Sequence, residues 1–243
     1  MSSAVQTYRK HFIPLESNPD VFTELIHKLG LKNSLCFQDV LSLDDPELLA
    51  FLPRPAYALI LVFPTTADYE KRTKDEEAKL VQWQSSAADA DVVFFKQTIN
   101  NACGLYAVLH AVCNGGARSQ MERGSLILRL LQTCLPLRPD AAALAIEDSA
   151  ELERAYTEVA KKGATEAPEN AEDEVDYHYI CFVRSDKDSH VYQLDGDRKR
   201  PIDLGPLAAD EDVLSSKCLD TIRSMMLTEV GNLNFSLMAL VEE

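Results

Sequence analysis

A cysteine nucleophile is the chemistry that this sequence indicates most directly. Cys103 lies between an apolar strand-like run, Val92 to Phe95, and an apolar helix-like run, Gly104 to Cys113. Asn100 and Asn101 are good N-cap residues, which places Cys103 at a predicted helix amino terminus. Free N–H groups and the helix dipole favour the thiolate anion there. The alternative is a buried structural cysteine, which is the common role of an isolated one.

A histidine base and a carboxylate that orients it are predicted further along the chain. The β-like runs 177–183 and 191–196 flank a polar turn and predict a hairpin. With the turn centred on Asp186-Lys187, His178 lies directly opposite Asp195 and both side chains point to one face. Asp195 then fixes the tautomer of His178 and leaves the other ring nitrogen for a thiol. A lone strand histidine is ordinarily a packing residue, but the opposed aspartate and the upstream cysteine favour a base.

Gln97 completes a constellation for acyl transfer. It ends the strand-like run that leads to Cys103, and its neutral amide has two N–H donors. Together with the backbone N–H of the nucleophile, such a donor stabilises an oxyanion by about 2.7 to 4 kcal/mol. A glutamine at a strand end is otherwise a solvated side chain, so this role depends on Cys103, His178 and Asp195 acting together.

The other four histidines do not enter this arrangement. His110 lies two turns into the apolar helix-like run and is expected to be a hydrogen-bonded core residue. His11 and His27 have no chemical constellation around them. His190 faces away from His178 in the predicted hairpin.

The surrounding pattern predicts the elements that position these side chains. Asn18 and Asp45 each precede a proline, which is typical of a helix opening, and Gly30 ends the first helix. In chain order we expect helices that begin at 18–20 and 45–46, a central strand at 57–63, and a solvated helix at 68–84 with no functional role. A strand at 91–97 is expected to pair with the strand at 57–63, and helices are expected at about 122–135 and 139–162.

Residues 163–176 form the sharpest change in composition. The segment holds six acidic residues and no basic one, which predicts a mobile loop. A solvated linker is the simplest interpretation. Because the loop directly precedes His178, a cover over the active site is the alternative.

Composition restricts the class of protein. The 243 residues are 46% hydrophobic and carry a formal charge of −15, which argues against nucleic acid and anionic membrane as partners and suits a basic protein or peptide. No apolar run approaches the roughly 20 residues of a membrane span, and Met1 to Lys10 lacks the apolar core of a signal peptide.

The six scattered cysteines include no CxxC pair, so we expect no zinc site, disulfide framework or cofactor. A cytosolic or nuclear protein is expected.

The catalytic segments resemble the ubiquitin carboxyl-terminal hydrolase family of cysteine proteases, and most closely its short fungal and animal members. The similarity is interrupted at Leu105-Tyr106, where smaller or more polar residues are expected in close relatives. The matching segments are Gln97 to Gly104, His178, Leu194-Asp195-Gly196, Pro14 to Pro19, Leu29-Gly30-Leu31, Pro53 to Ala56 and Leu233-Asn234-Phe235.

The resemblance implies a fold and a set of roles. It implies one α/β (α+β) domain over residues 1–243 with a papain-like fold, in which a central antiparallel sheet is flanked by helices. The backbone is knotted, and residues 163–176 become a crossover loop that limits the size of the group attached to ubiquitin. Cys103 attacks the carbonyl of the terminal glycine of ubiquitin, His178 acts as base and then acid, Asp195 orients it, and Gln97 holds the oxyanion. The implied ubiquitin-binding residues are Pro14, Leu15, Glu16, Asn18, Asn234 and Phe235.

The expected partner is therefore ubiquitin, with a close ubiquitin-like protein left open, and the absence of a heptad pattern favours a monomer. Two other functions remain as alternatives. A papain-like peptidase of broad specificity would cleave unstructured casein, although the segment around Cys103 lacks the CGxCW pattern. A ubiquitin-binding adaptor with a vestigial site would leave Cys103 unreactive toward a ubiquitin-derived electrophile.

Overall fold

A computed structural model of the protein describes residues 8–162, 177–228 and 234–243. Its centre is a six-stranded antiparallel sheet in the order β2-β8-β3-β5-β6-β7, and β1 pairs with β4 in a separate parallel ribbon. The strands are β1 Lys10–His11, β2 Leu35–Asp39, β3 Ala58–Pro64, β4 Ile99–Asn100, β5 Tyr177–Arg184, β6 His190–Leu194, β7 Ile202–Pro206 and β8 Ser236–Glu242.

Helices cover both faces of this sheet, as the sequence predicted. Asn18 caps the first helix by accepting a hydrogen bond from the N–H of Asp20, and Gly30 ends it with a φ of 95°. The α-helices are α1 Pro19–Leu29, α2 Pro46–Ala50, α3 Ala67–Glu77, α4 Cys103–Cys113, α5 Leu126–Cys134, α6 Pro139–Glu147, α7 Ala150–Ala160 and α8 Ser216–Thr228, and a 3-10 helix spans Gly115–Gln120.

The single helix predicted over 139–162 is two helices. Ser149 interrupts it, because its side chain accepts a hydrogen bond from the N–H of Leu152 and so caps α7. Serine offers the backbone this alternative partner, and a local alanine-rich composition does not reveal it.

The central strand β3 is buried on both faces. Ile60 and Val62 point into one apolar core with α1 and α4, while Leu61 and Phe63 point into a second core with α8. Burial of each large aliphatic side chain contributes roughly 1.5–3 kcal/mol. Because β5 pairs with β3 along its whole length, with Phe63 opposite His178, the sheet holds His178 on a rigid wall.

The predicted partner strand at 91–97 is wrong. The strands that flank β3 are β5 and β8. The segment is buried, but its backbone hydrogen-bonds to side chains of α4 and of the residue that caps the carboxyl end of α4. Asn114 Oδ1 accepts from the N–H of Val93 at 2.7 Å, and His110 Nε2 accepts from the N–H of Phe95 at 3.0 Å. These bonds pair the backbone N–H groups of Val93 and Phe95 without a neighbouring β-strand.

The hairpin of β5 and β6 forms, but the predicted register is shifted. Cys181 lies opposite Leu194, so the turn is centred one residue later than expected. Ser185 moves it, because its Oγ accepts from the N–H of Lys187 at 3.1 Å. The sum of the two paired residue numbers changes by two, so Asp195 keeps the face of His178.

Among the described residues, no helix combines the length and apolar character that crossing a bilayer requires. The predicted acidic loop at 163–176 lies outside the described residues, as does the knotted path that depends on it.

Candidate active site

Cys103 is the first residue of α4 and is half-buried. The predicted caps, Asn100 and Asn101, do not cap the helix. Asn101 has a φ of 57° and turns the chain, so that Ala102 occupies the N-cap position without a side-chain bond. Gly104 allows the helix to approach the amino-terminal segment, because a Cβ there would lie 3.1 Å from Cβ of Leu15. The buried helix therefore presents the thiol from a fixed position.

His178 and Asp195 meet directly. Nε2 of His178 lies 2.8 Å from Oδ1 of Asp195, and both residues are buried. Cys103 is close enough to His178 to raise the pKa of the ring, and because Nε2 is committed to Asp195, Nδ1 is the nitrogen left for the thiol. Side chains from α4, from β5 and from the loop after β6 thus meet at one place.

The charges in this chain favour an imidazolium. Burial alone would lower the pKa of His178, but Asp195, Cys103 and Asp197 outweigh it and raise the pKa well above its usual value. Burial acts in the opposite sense on Asp195, yet His178, the N–H of Asp197 and Arg198 hold the pKa of that carboxyl below its usual value. A charged Asp195 beside a protonated ring is the arrangement that orients a base.

Gln97 is buried beside the loop that carries Asp195. Its backbone N–H donates to the carbonyl of Gly196 at 2.8 Å, and its Nε2 donates to the carbonyl of Ile99 at 3.1 Å. Its Oε1 has no hydrogen-bond partner among the residues that the structure describes. One N–H of the amide is therefore used for positioning, and the second is left for another acceptor.

Contacts with Gly196 and Tyr106 hold the segment that carries Gln97. A Cβ at Gly196 would lie 2.8 Å from Cβ of Gln97, so only glycine allows the two segments to touch. The hydroxyl of Tyr106 accepts from the N–H of Thr98 at 3.2 Å. The tyrosine that departs from the family pattern thus ties α4 to the segment that carries Gln97.

Asp197 also lies beside His178, although it was not among the residues predicted from the sequence. Its Oδ2 lies 3.8 Å from Nδ1 of His178, and its N–H donates to Oδ1 of Asp195 at 2.9 Å. Partial burial and the Asp195 carboxylate raise the pKa of Asp197, although His178 opposes them. Asp197 lies in the turn that follows the end of β6 at Leu194, where strand spacing no longer fixes the direction of a side chain.

His178, Asp195 and Asp197 are also the donor set that comes closest to a metal site. Each offers one ligand atom, and these atoms lie within 4.8 Å of one another. However, Nε2 of His178 and Oδ1 of Asp195 already share a hydrogen bond. We therefore interpret the group as acid–base machinery.

Helix α3 has a role that its solvated composition did not predict. Arg198, three residues after Asp195, is buried and pairs with Glu77 Oε1 at 2.6 Å and Glu76 Oε2 at 2.9 Å. The N–H of Lys199 donates to Glu77 Oε2 at 2.8 Å. The carboxyl end of α3 therefore clamps the loop that follows Asp195.

The residues implied for ubiquitin binding come from two segments that lie side by side. Ser17 Oγ bonds Ser236 Oγ at 3.0 Å and joins the segment 14–18 to the residues before β8. Leu15 differs from the others because its side chain is buried in the core beneath α4. Asn18 also has a structural task as the cap of α1.

The remaining histidines lie in separate environments. Full burial lowers the pKa of His110 to about 4, and its neutral ring accepts a backbone hydrogen bond, as expected of a core residue. His190 bonds Asp203 at 2.9 Å, on the opposite side of the hairpin from His178. His11 bonds Asn100, and His27 bonds the carbonyl of Leu35.

Comparisons with known proteins identify the family. Residues 12–227 match the family model described as ubiquitin carboxyl-terminal hydrolase, family 1. The chain is 34% identical to ubiquitin carboxyl-terminal hydrolase isozyme L1 of Rattus norvegicus, with 93% of this chain and 96% of that protein covered. It is 36% identical to ubiquitin carboxyl-terminal hydrolase YUH1 of Saccharomyces cerevisiae, with 94% of each covered.

The fold has solved counterparts as well. The catalytic domain of Trichinella spiralis UCH37 bound to ubiquitin vinyl methyl ester is similar with a TM-score of 0.75 and 22% identity, and the match covers 97% of both chains. At that identity the likeness concerns the fold. The family model and the relatives, which span nearly the whole chain, carry the assignment: this chain belongs to the ubiquitin carboxyl-terminal hydrolase family 1.

Proposed function

We propose that this protein is a thiol-dependent hydrolase that cleaves the bond after the carboxyl-terminal glycine of ubiquitin. It releases small adducts and short or unfolded extensions through a thioester acyl-enzyme. The observation that carries the proposal is the 2.8 Å hydrogen bond between His178 and Asp195, on a ring whose pKa the nearby Cys103 helps to raise. Membership of the family supplies ubiquitin as the acyl group.

Cys103 is the nucleophile in this mechanism. Its thiolate attacks the terminal carbonyl carbon of ubiquitin, and the oxygen becomes negatively charged. The second N–H of Gln97 and the backbone N–H of Cys103 stabilise that oxyanion. Gln97 suits the task because it is buried and held at both its backbone and its amide.

His178 moves the protons. As an imidazolium it donates from Nδ1 to the leaving amine when the carbon–nitrogen bond breaks and the thioester forms. The neutral ring then takes a proton from water, which attacks the thioester and releases ubiquitin with a free carboxylate. Asp195 keeps Nδ1 directed at these groups through its bond to Nε2.

Ubiquitin is recognised as a folded surface by the exposed parts of segments 14–18 and 234–235, which Ser17 and Ser236 join. The net charge of −15 suits the basic tail of ubiquitin. We further propose a monomer that works in the cytosol or nucleus. Sedimentation of the purified chain and imaging of the tagged protein test these two points.

A covalent ubiquitin probe tests the proposal. Ubiquitin vinyl methyl ester is added to the wild type and to Cys103→Ala, and the modified peptide is identified by mass spectrometry. We expect one adduct, on Cys103 alone among the six cysteines. Labelling of another cysteine, or no labelling of a chain that still binds ubiquitin, would contradict the proposal and favour the adaptor.

A further inference from the structure

His178 has a second carboxylate beside it, near the ring nitrogen that Asp195 does not hold. Oδ1 of Asp195 lies 2.8 Å from Nε2 of the ring, whereas Oδ2 of Asp197 lies 3.8 Å from Nδ1. In the mechanism proposed above, Nδ1 is the nitrogen that moves protons. The second carboxylate therefore lies next to the atom on which the chemistry depends, and the catalytic steps above give it no role.

Asp197 acts on the ring through its charge. A separation of 3.8 Å is too long for a hydrogen bond, so the N–H of Nδ1 remains free for the thiol or the leaving group. An opposite charge at this distance nevertheless stabilises the imidazolium, and Asp197 is one of the groups that raise the pKa of His178. Asp197 thus favours the proton on Nδ1 without competing for it.

The backbone of Asp197 is held on both sides of the residue. Its N–H donates to Oδ1 of Asp195 at 2.9 Å, and its carbonyl accepts from Nζ of Lys96 at 2.6 Å. Neither bond uses the Asp197 carboxylate. A change to asparagine therefore removes the charge while it leaves both of the bonds that position this residue.

The carboxylate of Asp197 is reached by solvent. Its side chain is 50% exposed, against 2% for Asp195, and a cavity of about 300 Å³ between α3 and the loop after β6 adjoins Asp197 and His178. Burial and Asp195 raise the pKa of Asp197, but its exposure, the imidazolium and the ammonium of Lys96 keep it ionised near neutral pH. Salt therefore screens Asp197 more strongly than it screens Asp195.

Other titratable and charged groups also face this part of the site. Burial raises the pKa of Tyr69 to about 12, and burial and the Asp197 carboxylate raise that of Tyr8, so both phenols stay neutral. Glu70 and Lys74 line the cavity with opposite charges. The remaining groups are Cys103 on α4, Lys96 before β4, and Asp195 and Arg198 in the loop after β6. A comparison of the wild type with an Asp197 variant keeps all of them and isolates one carboxylate.

We propose that Asp197 is a second positioning carboxylate of His178 and that it extends the alkaline range in which the enzyme works. Asp195 holds the ring through Nε2, and Asp197 stabilises the proton on Nδ1 by its charge. The imidazolium that protonates the leaving amine therefore persists to higher pH. The inference rests on the hydrolase function proposed above and adds a residue to the same active site.

The pH dependence of kcat/KM tests this role, with fluorophore release from the ubiquitin carboxyl terminus as the assay. Loss of the Asp197 carboxylate lowers the pKa of His178, so we expect the alkaline limb of Asp197→Asn to move to lower pH by about one unit. Asp197→Glu keeps the charge and should keep most of the wild-type limb. Asp186→Asn removes an exposed carboxylate beyond the opposite end of β5 and should have the wild-type profile.

Salt distinguishes an effect of charge from an effect of shape. The Debye length is about 30 Å at 0.01 M salt and about 3 Å at 1 M, which is shorter than the 3.8 Å between Oδ2 and Nδ1. At 1 M salt we expect the wild-type limb itself to move toward that of Asp197→Asn, and the displacement between them to shrink by about half or more. The displacement in Asp195→Asn should change little, because Asp195 is buried.

A titration of the ring provides a readout that does not depend on turnover. The protein is labelled with ¹⁵N-histidine, and the signals of His178 are identified by their absence in His178→Gln. We expect the ring of His178 to titrate about one pH unit lower in Asp197→Asn than in the wild type. Asp186→Asn should leave this titration unchanged.

The outcomes separate the two proposals. A ring titration or an alkaline limb that stays at the wild-type position in Asp197→Asn would overturn this inference, while normal fluorophore release near neutral pH kept the hydrolase function. A displacement that is equal at low and high salt would also overturn it, because the residue would then act through the shape of the loop. No fluorophore release by the wild type, together with no covalent labelling of Cys103, would overturn the hydrolase function and this inference with it.

Discussion

At the scale of single residues, the active site depends on how few positions its side chains can adopt. His178 is held at Nε2 by Asp195, and Gln97 is held at its backbone by Gly196 and at its amide by Ile99. The bonds to Asp195 and Gly196 join segments that are close only after folding, whereas the bond to Ile99 is local. Such pre-organisation lets donors stabilise charge that develops during the reaction.

Gln97→Ala tests the oxyanion role. The variant removes the amide but keeps the backbone bond to Gly196, so we expect kcat to fall by about a hundred- to a thousandfold with little change in KM. Steady-state kinetics on a ubiquitin fluorophore substrate measure both values. Gln132→Ala, an exposed helix position, is the matched control. An unchanged kcat would contradict the assignment.

Asp195→Asn tests the charge on His178. The Asp195 carboxylate raises the pKa of the ring, so its loss lowers that pKa, and the imidazolium that protonates the leaving amine disappears at lower pH. We expect the alkaline limb of the kcat/KM profile to move to lower pH and kcat to fall roughly a hundredfold or more.

Asp203→Asn is the control for this change, because it removes a carboxylate from the surface pair with His190. Its pH profile should match that of the wild type. An alkaline limb that does not move in Asp195→Asn would show that His178 is not oriented by this carboxylate.

At the scale of elements, α3 links a charged surface helix to the catalytic loop. The sequence of α3 predicted a solvated helix, because the partner of Glu76 and Glu77 is Arg198, which lies about 120 residues away in sequence. Local pattern identifies such a helix but not what its last turn contacts. The contact between the end of α3 and the loop after Asp195 was therefore visible only in the structure.

Glu77→Gln tests the clamp. The change weakens the bonds to Arg198 and to the N–H of Lys199, so we expect the unfolding free energy to fall by roughly 1.5–3 kcal/mol and kcat to decrease with the altered Asp195 loop. Chemical denaturation and steady-state kinetics provide the two readouts. Asp75→Asn, two residues earlier on the same helix and in none of these bonds, should leave both near wild type. A full wild-type kcat in Glu77→Gln would contradict a positioning role.

The strand predicted at 91–97 shows another limit of sequence patterns. Apolar periodicity correctly predicted burial, but it does not show where the backbone hydrogen bonds go. Here they go to His110 and Asn114, residues of the nucleophile helix and its end. In the hairpin, one serine hydroxyl at Ser185 moved the register without changing the faces.

The low pKa of the buried His110 predicts that the stability of the protein depends on pH. Its pKa is about 4 in the folded protein, against an ordinary value near 6.5, so between these pH values the unfolded chain binds a proton that the folded chain excludes. Stability from this residue is complete above pH 6.5 and declines by roughly 1.4 kcal/mol per pH unit as the pH falls toward 4.

Denaturation of the wild type and of His110→Gln across this pH range measures the effect. The variant should be less stable at neutral pH, because the N–H of Phe95 loses its acceptor. Between pH 4 and 6.5 its unfolding should take up about one proton fewer than that of the wild type, so its unfolding free energy should change less with pH. Parallel pH curves for the two proteins would contradict the assignment of a buried neutral His110.

At the scale of the whole molecule, the fold joins the amino-terminal and carboxyl-terminal parts of the described chain. Strand β2 pairs with β8, and Ser17 bonds Ser236 across 219 residues of sequence. The meeting of His178 and Asp195 could be predicted because the hairpin pattern places them on one face, whereas the central antiparallel sheet was expected from the family resemblance. Asp197, the α3 clamp and the cavity arise from tertiary contacts that spacing alone does not encode.

Cys103 is proposed to act within a site that recognises folded ubiquitin, and one comparison tests both parts of this proposal. Fluorophore release is measured from the carboxyl terminus of intact ubiquitin and from a short tail peptide, with the wild type and with Cys103→Ala. We predict rapid release from intact ubiquitin by the wild type, almost none from the peptide, and none by the variant. Equal cleavage of the peptide, or activity that survives in Cys103→Ala, would contradict the account.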